Sequence, residues 1–279
     1  HVIEKHQGRF SIAGAQDKVP LVYLEGKLYI PTKGMPTTHI LKPPHLSNTV
    51  KDSVYNEYFC MKLAHSCGFN VPKVEILVDK IPFYIVERYD RLNIEGDIKR
   101  LHQIDFCQAQ GFLSGEKYES DGGPSLKNNF NCLKGNSSIA LKDTQRYIDW
   151  ICFNLLIGNN DCHSKNISFL LTNVGYKLSP SYDLLCTSIY KEYAPEFAFK
   201  MGNNSYWGQW SLEHFESEMI SWGLDKSKGL ILERLRKMEE AISLNIDIEY
   251  KLFKDKYPDI RVAGRIKSEI EKIKIVIPL

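Results

Sequence analysis

The sequence has no hydrophobic segment long enough to cross a membrane. No apolar run approaches the ~20 residues that a transmembrane helix needs, and the first residues, HVIEKHQGRF, lack the apolar core of a signal peptide. The net charge is only +2, and no helix-turn-helix pattern is present. We therefore expect a cytoplasmic protein that does not bind DNA directly.

Paired cysteines are also absent. The seven cysteines are odd in number and form no C-x-x-C pair, which favours reduced thiols over a disulfide framework or a zinc site. A chain of 279 residues, with 43% hydrophobic and 25% charged residues, suits one or two packed domains.

The common glycine-rich nucleotide motifs, G-x-x-x-x-G-K-[ST] and G-x-G-x-x-G, do not occur. A weaker candidate for phosphate binding is SIAGAQDK, which begins at Ser11 and leads into a predicted strand hairpin. Ala13, Gly14 and Ala15 are small, so backbone amides here could approach phosphates closely, and Gln16 lies in the same loop.

A second hairpin is predicted between residues 157 and 185. Strands at Ile167–Leu171 and Tyr176–Leu178 flank a polar turn at Thr172–Gly175. Because an antiparallel hairpin brings its ends together, Asn166 before it and Asp183 after it are expected to face one point.

Asn166 and Asp183 offer two hard oxygen ligands for Mg²⁺, which keeps its other positions for water and nucleotide phosphates. Asp161, one loop earlier, is predicted to orient an attacking hydroxyl and accept its proton, as the catalytic-loop Asp of protein kinases does. Since Asp-x-x-x-x-Asn also occurs by chance in loops, the interpretation depends on the flanking elements.

The element before Asp161 is predicted to be a buried helix. Asp143 and Thr144 are placed to cap it, and Gly158 ends it. In the loop that follows, His163 and Lys165 have two open interpretations, loop stabilisation or phosphate contact, and the structural role is favoured for His163.

Lys42 ends a short apolar strand, His39–Lys42, and is the candidate for the contact with the α- and β-phosphates. A helix capped by Asp52 or Ser53 follows, and its Glu57 is placed to pair with Lys42, as the helical Glu of kinases does with its Lys. A solvated strand-end Lys and an exposed helix Glu are the alternatives.

Another predicted hairpin, Val74–Val78 and Phe83–Val86, ends in the sequence ERYDR. If this is the linker between two lobes, backbone groups of Glu87 and Tyr89 would bind the adenine edge. A charged hairpin exit that makes surface salt bridges is the alternative.

The rest of the chain is predicted to be mainly helical. Ser114–Ser138 is rich in Gly, Ser, Asn and Lys and is predicted to be a polar loop that leaves room for a short helix. Helices are predicted after Ser211, from Asp225, and over Ala263–Ile277. Their apolar stripes are assigned to the core, with a partner surface as the alternative.

Seven pieces of the sequence resemble, in order, the HipA-like serine/threonine kinases of bacterial toxin-antitoxin systems. They are SIAGAQDK, ILKPP, YNEYFCMKLA, VERYDR, RLHQIDFCQAQG, NNDCHSKN and SPSYDLL. The resemblance implies an α+β fold of two lobes like that of protein kinases. A sheet-rich N-lobe would cover residues 1–90 and a mainly helical C-lobe residues 91–279.

The same resemblance implies a kinase that uses ATP and Mg²⁺ to phosphorylate a serine in an aminoacyl-tRNA synthetase, which inhibits translation. The family's base, Asn ligand, metal Asp and nucleotide Lys fall on Asp161, Asn166, Asp183 and Lys42.

Two further positions matter in the resemblance. Ser11 corresponds to the serine whose autophosphorylation ejects the phosphate loop from the ATP site. Cys162 stands where an Arg commonly follows the base, which departs from the family pattern.

In length the chain resembles the short toxin HipT of three-component systems, in which a separate protein, HipS, corresponds to an N-terminal subdomain. A HipS-like partner and a HipB-like DNA-binding antitoxin are therefore expected, with DNA contacted through the antitoxin. A shortened longer enzyme is the alternative, since His1 is not a start methionine.

Two other function classes stay open. A small-molecule phosphotransferase of the aminoglycoside or choline type would use the same Asp-x-x-x-x-Asn pattern but would not explain SIAGAQDK and ERYDR. A non-catalytic scaffold of an antitoxin complex is the other.

Overall fold

The computed structural model describes residues 18–31, 35–191, 195–206, 211–224 and 228–276. Its helices are α1 (Ser53–Ser66), α2 (Phe106–Ala109), α3 (Leu126–Asn136), α4 (Ala140–Leu156), α5 (Leu212–Ser221), α6 (Lys228–Lys256) and α7 (Val262–Val276). Its strands are β1 (Val19–Leu24), β2 (Lys27–Tyr29), β3 (His39–Lys42), β4 (Val74–Val78), β5 (Pro82–Glu87), β6 (Arg91–Ile94), β7 (Asp97–Arg100), β8 (Gln103–Asp105), β9 (Ser168–Thr172), β10 (Gly175–Leu178), β11 (Glu196–Met201) and β12 (Asn204–Tyr206). None of the helices in these ranges combines the length and apolarity needed to cross a bilayer.

The larger sheet has five antiparallel strands in the order β2-β1-β3-β5-β4. Leu21, Leu41 and Ile85 form a small cluster on one face. Tyr84 belongs instead to the main core, together with the apolar residues of α1. Because successive side chains of a strand point to opposite faces, Lys42 lies on the face away from Leu41, which is the face that α1 covers.

Helix α1 is buried on most of its surface, since it packs against the sheet on one side and against α6 and α7 on the other. It begins at Ser53, as predicted, although Asp52 makes no side-chain capping bond. Gly68 follows its end with a φ of 88°, a conformation that glycine adopts without strain. This packing fixes the position of Glu57 in the middle of the helix.

The predicted hairpin between residues 157 and 185 is confirmed. Strand β9 begins at Ser168, one residue after the predicted Ile167, and Gly175 joins the returning strand β10. Strand β8 pairs with the other edge of β9, so the hairpin is one side of a three-stranded sheet. Phe169 of β9 packs on Phe106 of α2 at 4.6 Å between ring centres, which anchors the hairpin to the core.

The predicted cap of α4 is wrong, because the helix begins at Ala140, ahead of Asp143 and Thr144. Asp143 is instead fully buried. Its carboxylate accepts the backbone N–H of Leu178 at 2.8 Å and pairs with Arg146 at 3.0 Å. The residue thus ties the end of β10 to α4, and so braces the hairpin.

Helix α3 occupies much of the segment predicted to be a polar loop. Ser125 and Asn128 form a reciprocal capping box, with both side-chain to backbone bonds at 3.1 Å. Leu126, Phe130 and Leu133 follow at helical spacing and are buried. The sequence allowed a short helix within this loop. The helix exists and is eleven residues long.

The C-terminal helices agree with the prediction where the structure describes them. Helix α5 follows Ser211, and α7 covers Val262–Val276 with Ile266, Ile270 and Ile273 buried against α1, α4 and α6. The predicted start of α6 at Asp225 lies outside the described residues.

Candidate active site

Lys42 is the centre of a buried ion-pair cluster. Its Nζ donates to Oε1 of Glu57 at 2.6 Å and to Oδ1 of Asp183 at 2.5 Å. The Lys42 side chain is 6% exposed and that of Glu57 is 7% exposed. The alternatives of a solvated lysine and an exposed helix glutamate are therefore wrong, and three distant chain segments meet at one ammonium group.

Charge balance in this cluster favours an ionised Lys42–Asp183 pair. Burial would lower the pKa of Lys42, but Asp183 and Glu57 raise it above its ordinary value. Burial would raise the pKa of Asp183, but Lys42 and Lys18 hold it well below its ordinary value. For Glu57, burial outweighs Lys42 and raises the pKa of the carboxyl group.

Asp183 has an unusual backbone conformation. Its φ of 58° lies in the left-handed region, which costs free energy for any residue with a side chain. Strain of this kind persists where the surrounding structure holds it, often at functional sites. Here the Lys42 ion pair and the chain that follows Asp183 hold it.

The segment after Asp183 is bonded to the loop that precedes Asp161. The backbone N–H groups of Thr187 and Ser188 both donate to the carbonyl of Gly158 at 3.0 Å. The N–H of Asn160 donates to the Thr187 hydroxyl at 2.6 Å. Gly158 has a φ of 71° and ends α4, as predicted, and Ser188 leaves no room for a side chain there. The two loops therefore form one rigid support.

The spacing between Asp161 and Asn166 has a structural cause. The Asn166 side-chain amide donates to the backbone carbonyl of Asp161 at 2.9 Å, and residues Ser164–Asn166 form a 3₁₀ turn that closes the loop. The Asp161 N–H donates to the side-chain Oδ1 of Asn159 at 3.2 Å. Asn166 is thereby fixed through its nitrogen, and its side-chain oxygen is the atom able to bind a cation.

The Asp161 carboxylate contacts a residue that the sequence did not indicate. The Tyr118 hydroxyl donates to Oδ1 of Asp161, from a segment 43 positions earlier in the chain. Nζ of Lys117 and Nε2 of His163 stand at 3.9 Å and 3.7 Å from the same oxygen. The Asp161 side chain is 28% exposed, so a base at this position remains accessible to an acceptor.

His163 is buried beside the two aspartates. Burial lowers its pKa to about 4, although Asp161 and Asp183 both act to raise it. The imidazole is therefore neutral at pH 7. Its Nδ1 is buried and has no hydrogen-bond partner among the described residues. Its ring meets the Tyr118 ring edge-on at 5.2 Å, which fits the structural role favoured for it.

We expect His163 to lower the stability of the folded chain as the pH falls from about 6.5 towards 4. In this range the unfolded chain binds a proton at residue 163 and the folded chain does not, since the pKa of His163 is about 4 in place of 6.5. The loss attributable to this residue is about 2–3 kcal/mol. Asp183, whose pKa is held below its ordinary value of 3.8, adds a further loss of stability only as the pH falls below that value.

Urea unfolding of the wild type and of His163→Gln across this pH range measures the effect. The variant should show the shallower pH dependence, while His65→Gln, at an exposed position, should follow the wild type. Parallel profiles for the wild type and His163→Gln would contradict the prediction.

Lys165 has the contacts of a loop-stabilising residue. Its Nζ donates to the carbonyl and the hydroxyl of Ser114 at 2.9 Å and 3.0 Å. Its own carbonyl accepts the Tyr182 hydroxyl at 2.8 Å. A phosphate contact by Lys165 stays a prediction.

Cys162, which follows the base, is completely buried. Burial raises the pKa of its thiol well above the ordinary value, so the sulfur stays protonated and unreactive. All seven cysteines are free thiols. Cys162 contributes packing beneath the loop and has no accessible polar group for substrate.

The segment predicted to bind adenine lies where β5 ends. The Glu87 N–H donates to the Lys73 carbonyl at 2.9 Å, so any adenine contact falls to the Glu87 carbonyl or to Tyr89. The Tyr89 ring packs on Tyr182 at 5.3 Å. Arg88 holds both carboxylate oxygens of Asp90, at 3.0 Å and 2.8 Å. The charged hairpin exit, which was the alternative interpretation, therefore exists, but its ion pair is partly buried.

The predicted phosphate loop, with Ser11, Ala13, Gly14, Ala15 and Gln16, lies outside the described residues. The described chain resumes at Lys18. The Lys18 charge contributes to the lowered pKa of Asp183, after burial and Lys42. Lys18 therefore lies within electrostatic range of the ion-pair cluster.

The donor chemistry of the site fits Mg²⁺. Asp183 supplies an ionised carboxylate and Asn166 an amide oxygen, both hard ligands. Within the described ranges, no group of three His, Cys, Asp or Glu residues forms an all-protein metal cage. A magnesium ion that shares its coordination with nucleotide phosphates and water needs only one or two protein ligands.

Sequence comparison relates the chain to a kinase family. The model of the HipA-like C-terminal domain matches residues 10–244. The chain is 44% identical over 196 residues to the putative kinase Y4mE of Sinorhizobium fredii, covering 70% of this chain and 46% of that protein. It is 33% identical over 250 residues to the serine/threonine-protein kinase toxin HipA of Shewanella oneidensis, covering 84% and 56%. The chain thus spans about half the length of these relatives.

Comparison with solved structures also relates the chain to HipA-like kinases. HipA of Shewanella oneidensis, solved with HipB and operator DNA, has a TM-score of 0.77 and 27% identity, covering 98% of this chain and 68% of that one. The Helicobacter pylori proinflammatory kinase CtkA has a TM-score of 0.63 at 14% identity, covering 96% and 90%, and bears on the fold alone. The predicted kinase-like α+β fold is confirmed.

Proposed function

Because the chain belongs to the HipA-like family, we propose that it is a serine/threonine protein kinase that transfers the γ-phosphoryl group of Mg-ATP to a protein hydroxyl. The observation that carries the proposal is the contact of one buried lysine, Lys42, with Glu57 of α1 and Asp183 after the hairpin. Kinases use this arrangement to hold the nucleotide phosphates and the metal ion in fixed relation.

Each group has a role that follows from its position. Lys42 contacts the α- and β-phosphates, and Glu57 orients it. Asp183 and Asn166 hold Mg²⁺, which neutralises charge on the phosphates when it is bound. Asp161 orients the acceptor hydroxyl and accepts its proton. In this assignment Glu87 and Tyr89 bind the adenine edge through the backbone, and the N-lobe ends near residue 90.

The loop SIAGAQDK completes the nucleotide site and carries a regulatory serine. Phosphate on Ser11 would add roughly −1.5 to −2 charges where the loop is proposed to bind the phosphates of ATP. Repulsion between Ser11 phosphate and the nucleotide would then favour a loop outside the site and switch the kinase off.

The proposed biological role is that of a cytoplasmic toxin that phosphorylates a serine in an aminoacyl-tRNA synthetase. Its partners would be a HipB-like antitoxin, through which DNA is contacted, and a HipS-like small protein. Support comes from the relatives: one is named a kinase toxin, and its structure was solved with HipB and operator DNA.

Addition of γ-labelled ATP and the purified chain to a bacterial cytosolic extract tests this function. We expect label on an aminoacyl-tRNA synthetase and, in the kinase itself, on Ser11. The matched control is Asp161→Asn. No labelled protein, or the same labelling with the control variant, would contradict the proposal.

A further inference from the structure

We propose that Tyr118 is a positioning residue for the catalytic base, holding the Asp161 carboxylate in the orientation that accepts the proton of the substrate hydroxyl. This inference rests on the proposed kinase function. It assigns a role to the segment Glu116–Pro124, which the sequence indicated only as part of a polar loop.

The carboxylate of Asp161 needs an external support. Rotation about the terminal torsion of an aspartate is soft, so the backbone alone does not fix its two oxygens. The Tyr118 hydroxyl donates to Oδ1, and a hydroxyl bond to an ionised carboxylate is among the stronger hydrogen bonds in proteins. Among the residues that the structure describes, the nearest cationic or imidazole nitrogens, of Lys117 and His163, stand farther off at 3.9 Å and 3.7 Å. Tyr118 is thus the residue that sets the rotation.

The hydrogen bond from Tyr118 to Oδ1 determines which oxygen of Asp161 accepts the proton. With Oδ1 bonded to Tyr118, the second oxygen of Asp161 is left, in this proposal, to accept the proton. A base held in this way abstracts a proton from one direction, which a rotating carboxylate would not do.

Tyr118 is itself firmly held, as a positioning residue must be. Its ring packs edge-on against His163 at 5.2 Å. Its carbonyl accepts the N–H of Gly123 at 2.9 Å, and a side chain at Gly123 would collide with the backbone carbonyls of the same turn. The neighbouring Glu119 accepts the N–H of Lys200 in β11 at 2.8 Å. These contacts favour a Tyr118 side chain that stays in place during the reaction over one that the substrate must displace.

The test is Tyr118→Phe, which keeps the ring and its contact with His163 and removes only the hydroxyl. We expect the maximal rate constant for phosphoryl transfer to fall roughly 10- to 100-fold, because loss of alignment in a positioned catalytic group costs rate of this order. The ATP concentration that gives half of the maximal rate should not change, since Lys42 and Asp183 are untouched. Transfer is measured as single-turnover autophosphorylation with γ-labelled ATP, together with thermal denaturation of each protein.

Tyr23→Phe is the matched control. It also removes a tyrosine bond to a carboxylate, from the Tyr23 hydroxyl to Oε2 of Glu75 at 3.0 Å, but on the five-stranded sheet. It should transfer phosphate at the wild-type rate. In an Asp161→Asn background, Tyr118→Phe should cause no further loss, because the two residues act as one unit.

The outcomes separate the inference from the function beneath it. If the wild type is active and Tyr118→Phe transfers phosphate at the same rate, Tyr118 has no positioning role. If Tyr118→Phe transfers phosphate faster than the wild type, Tyr118 blocks the acceptor, and the positioning role is overturned as well. A loss that persists in full on top of Asp161→Asn also overturns it. A wild type that transfers no phosphate overturns the proposed kinase function itself.

Discussion

Replacement of Asp161 by Asn is expected to slow phosphoryl transfer by roughly 10²–10⁴-fold while ATP binds as before. Asparagine has the shape of aspartate and can still accept the Tyr118 hydrogen bond, but it cannot accept the proton of an acceptor hydroxyl. The proposed nucleotide ligands, Lys42 and Asp183, are unaltered. Single-turnover transfer from γ-labelled ATP, with nucleotide affinity from calorimetry, measures both quantities.

Asp149→Asn provides the matched control for this experiment. Asp149 on α4 holds Arg234 at 2.9 Å and 2.5 Å and makes the same kind of carboxylate contacts outside the site. Its variant should retain wild-type transfer. Near wild-type transfer by Asp161→Asn would remove the base from the proposed mechanism.

The second large effect is expected from Lys42→Met, which should both abolish transfer and destabilise the folded chain. Removal of one member of a buried ion pair leaves its partners charged without compensation, at a cost of about 3–5 kcal/mol. We expect a cost near the lower end of this range. Burial raises the pKa of Glu57, so that carboxyl group can take up a proton and does not stay charged without a partner. Urea unfolding and the transfer assay together measure this.

Lys99→Met, at an exposed position on β7, is the control and should change neither quantity. Lys42→Met combined with Glu57→Gln should be more stable than Lys42→Met alone at neutral pH, since the second change removes a carboxyl group that must otherwise take up a proton or stay buried and unpaired. Wild-type stability in Lys42→Met would show that the buried cluster contributes nothing to the fold.

Local patterns in the sequence were sufficient for the elements that carry the site. Two short apolar segments and a polar turn with Asn and Gly between them located β9 and β10 to within one residue. An apolar strand before two prolines located β3 and its terminal Lys42. The pairing of Lys42 with Glu57 was predicted by analogy with the lysine and helical glutamate of protein kinases, and an exposed glutamate stayed the alternative.

Other features depend on contacts between distant segments, which a local pattern does not contain. Asp143 looks like a helix cap because it precedes an apolar stripe, yet its carboxylate bonds to Leu178, 35 residues later. The contact of Tyr118 with Asp161 spans 43 residues. The left-handed φ of Asp183 arises from the packing around it and leaves no mark in composition.

Helix α3 shows a different reason for a missed element. Its many Asn and Lys residues give the polar composition of a loop, while three buried apolar positions carry its helical face. Two signals together would have predicted this helix. They are the Ser125–Asn128 capping box and the helical spacing of Leu126, Phe130 and Leu133.

Calorimetric titration of the chain with a non-hydrolysable ATP analogue, with and without Mg²⁺, tests the central claim that Lys42, Asn166 and Asp183 form a magnesium-nucleotide site. Mg²⁺ should strengthen binding to the wild type, and Asp183→Asn should lose most of that gain because an ionised ligand is removed. If Mg²⁺ strengthens binding equally in the wild type and in Asp183→Asn, the metal-nucleotide site lies elsewhere and the account is contradicted.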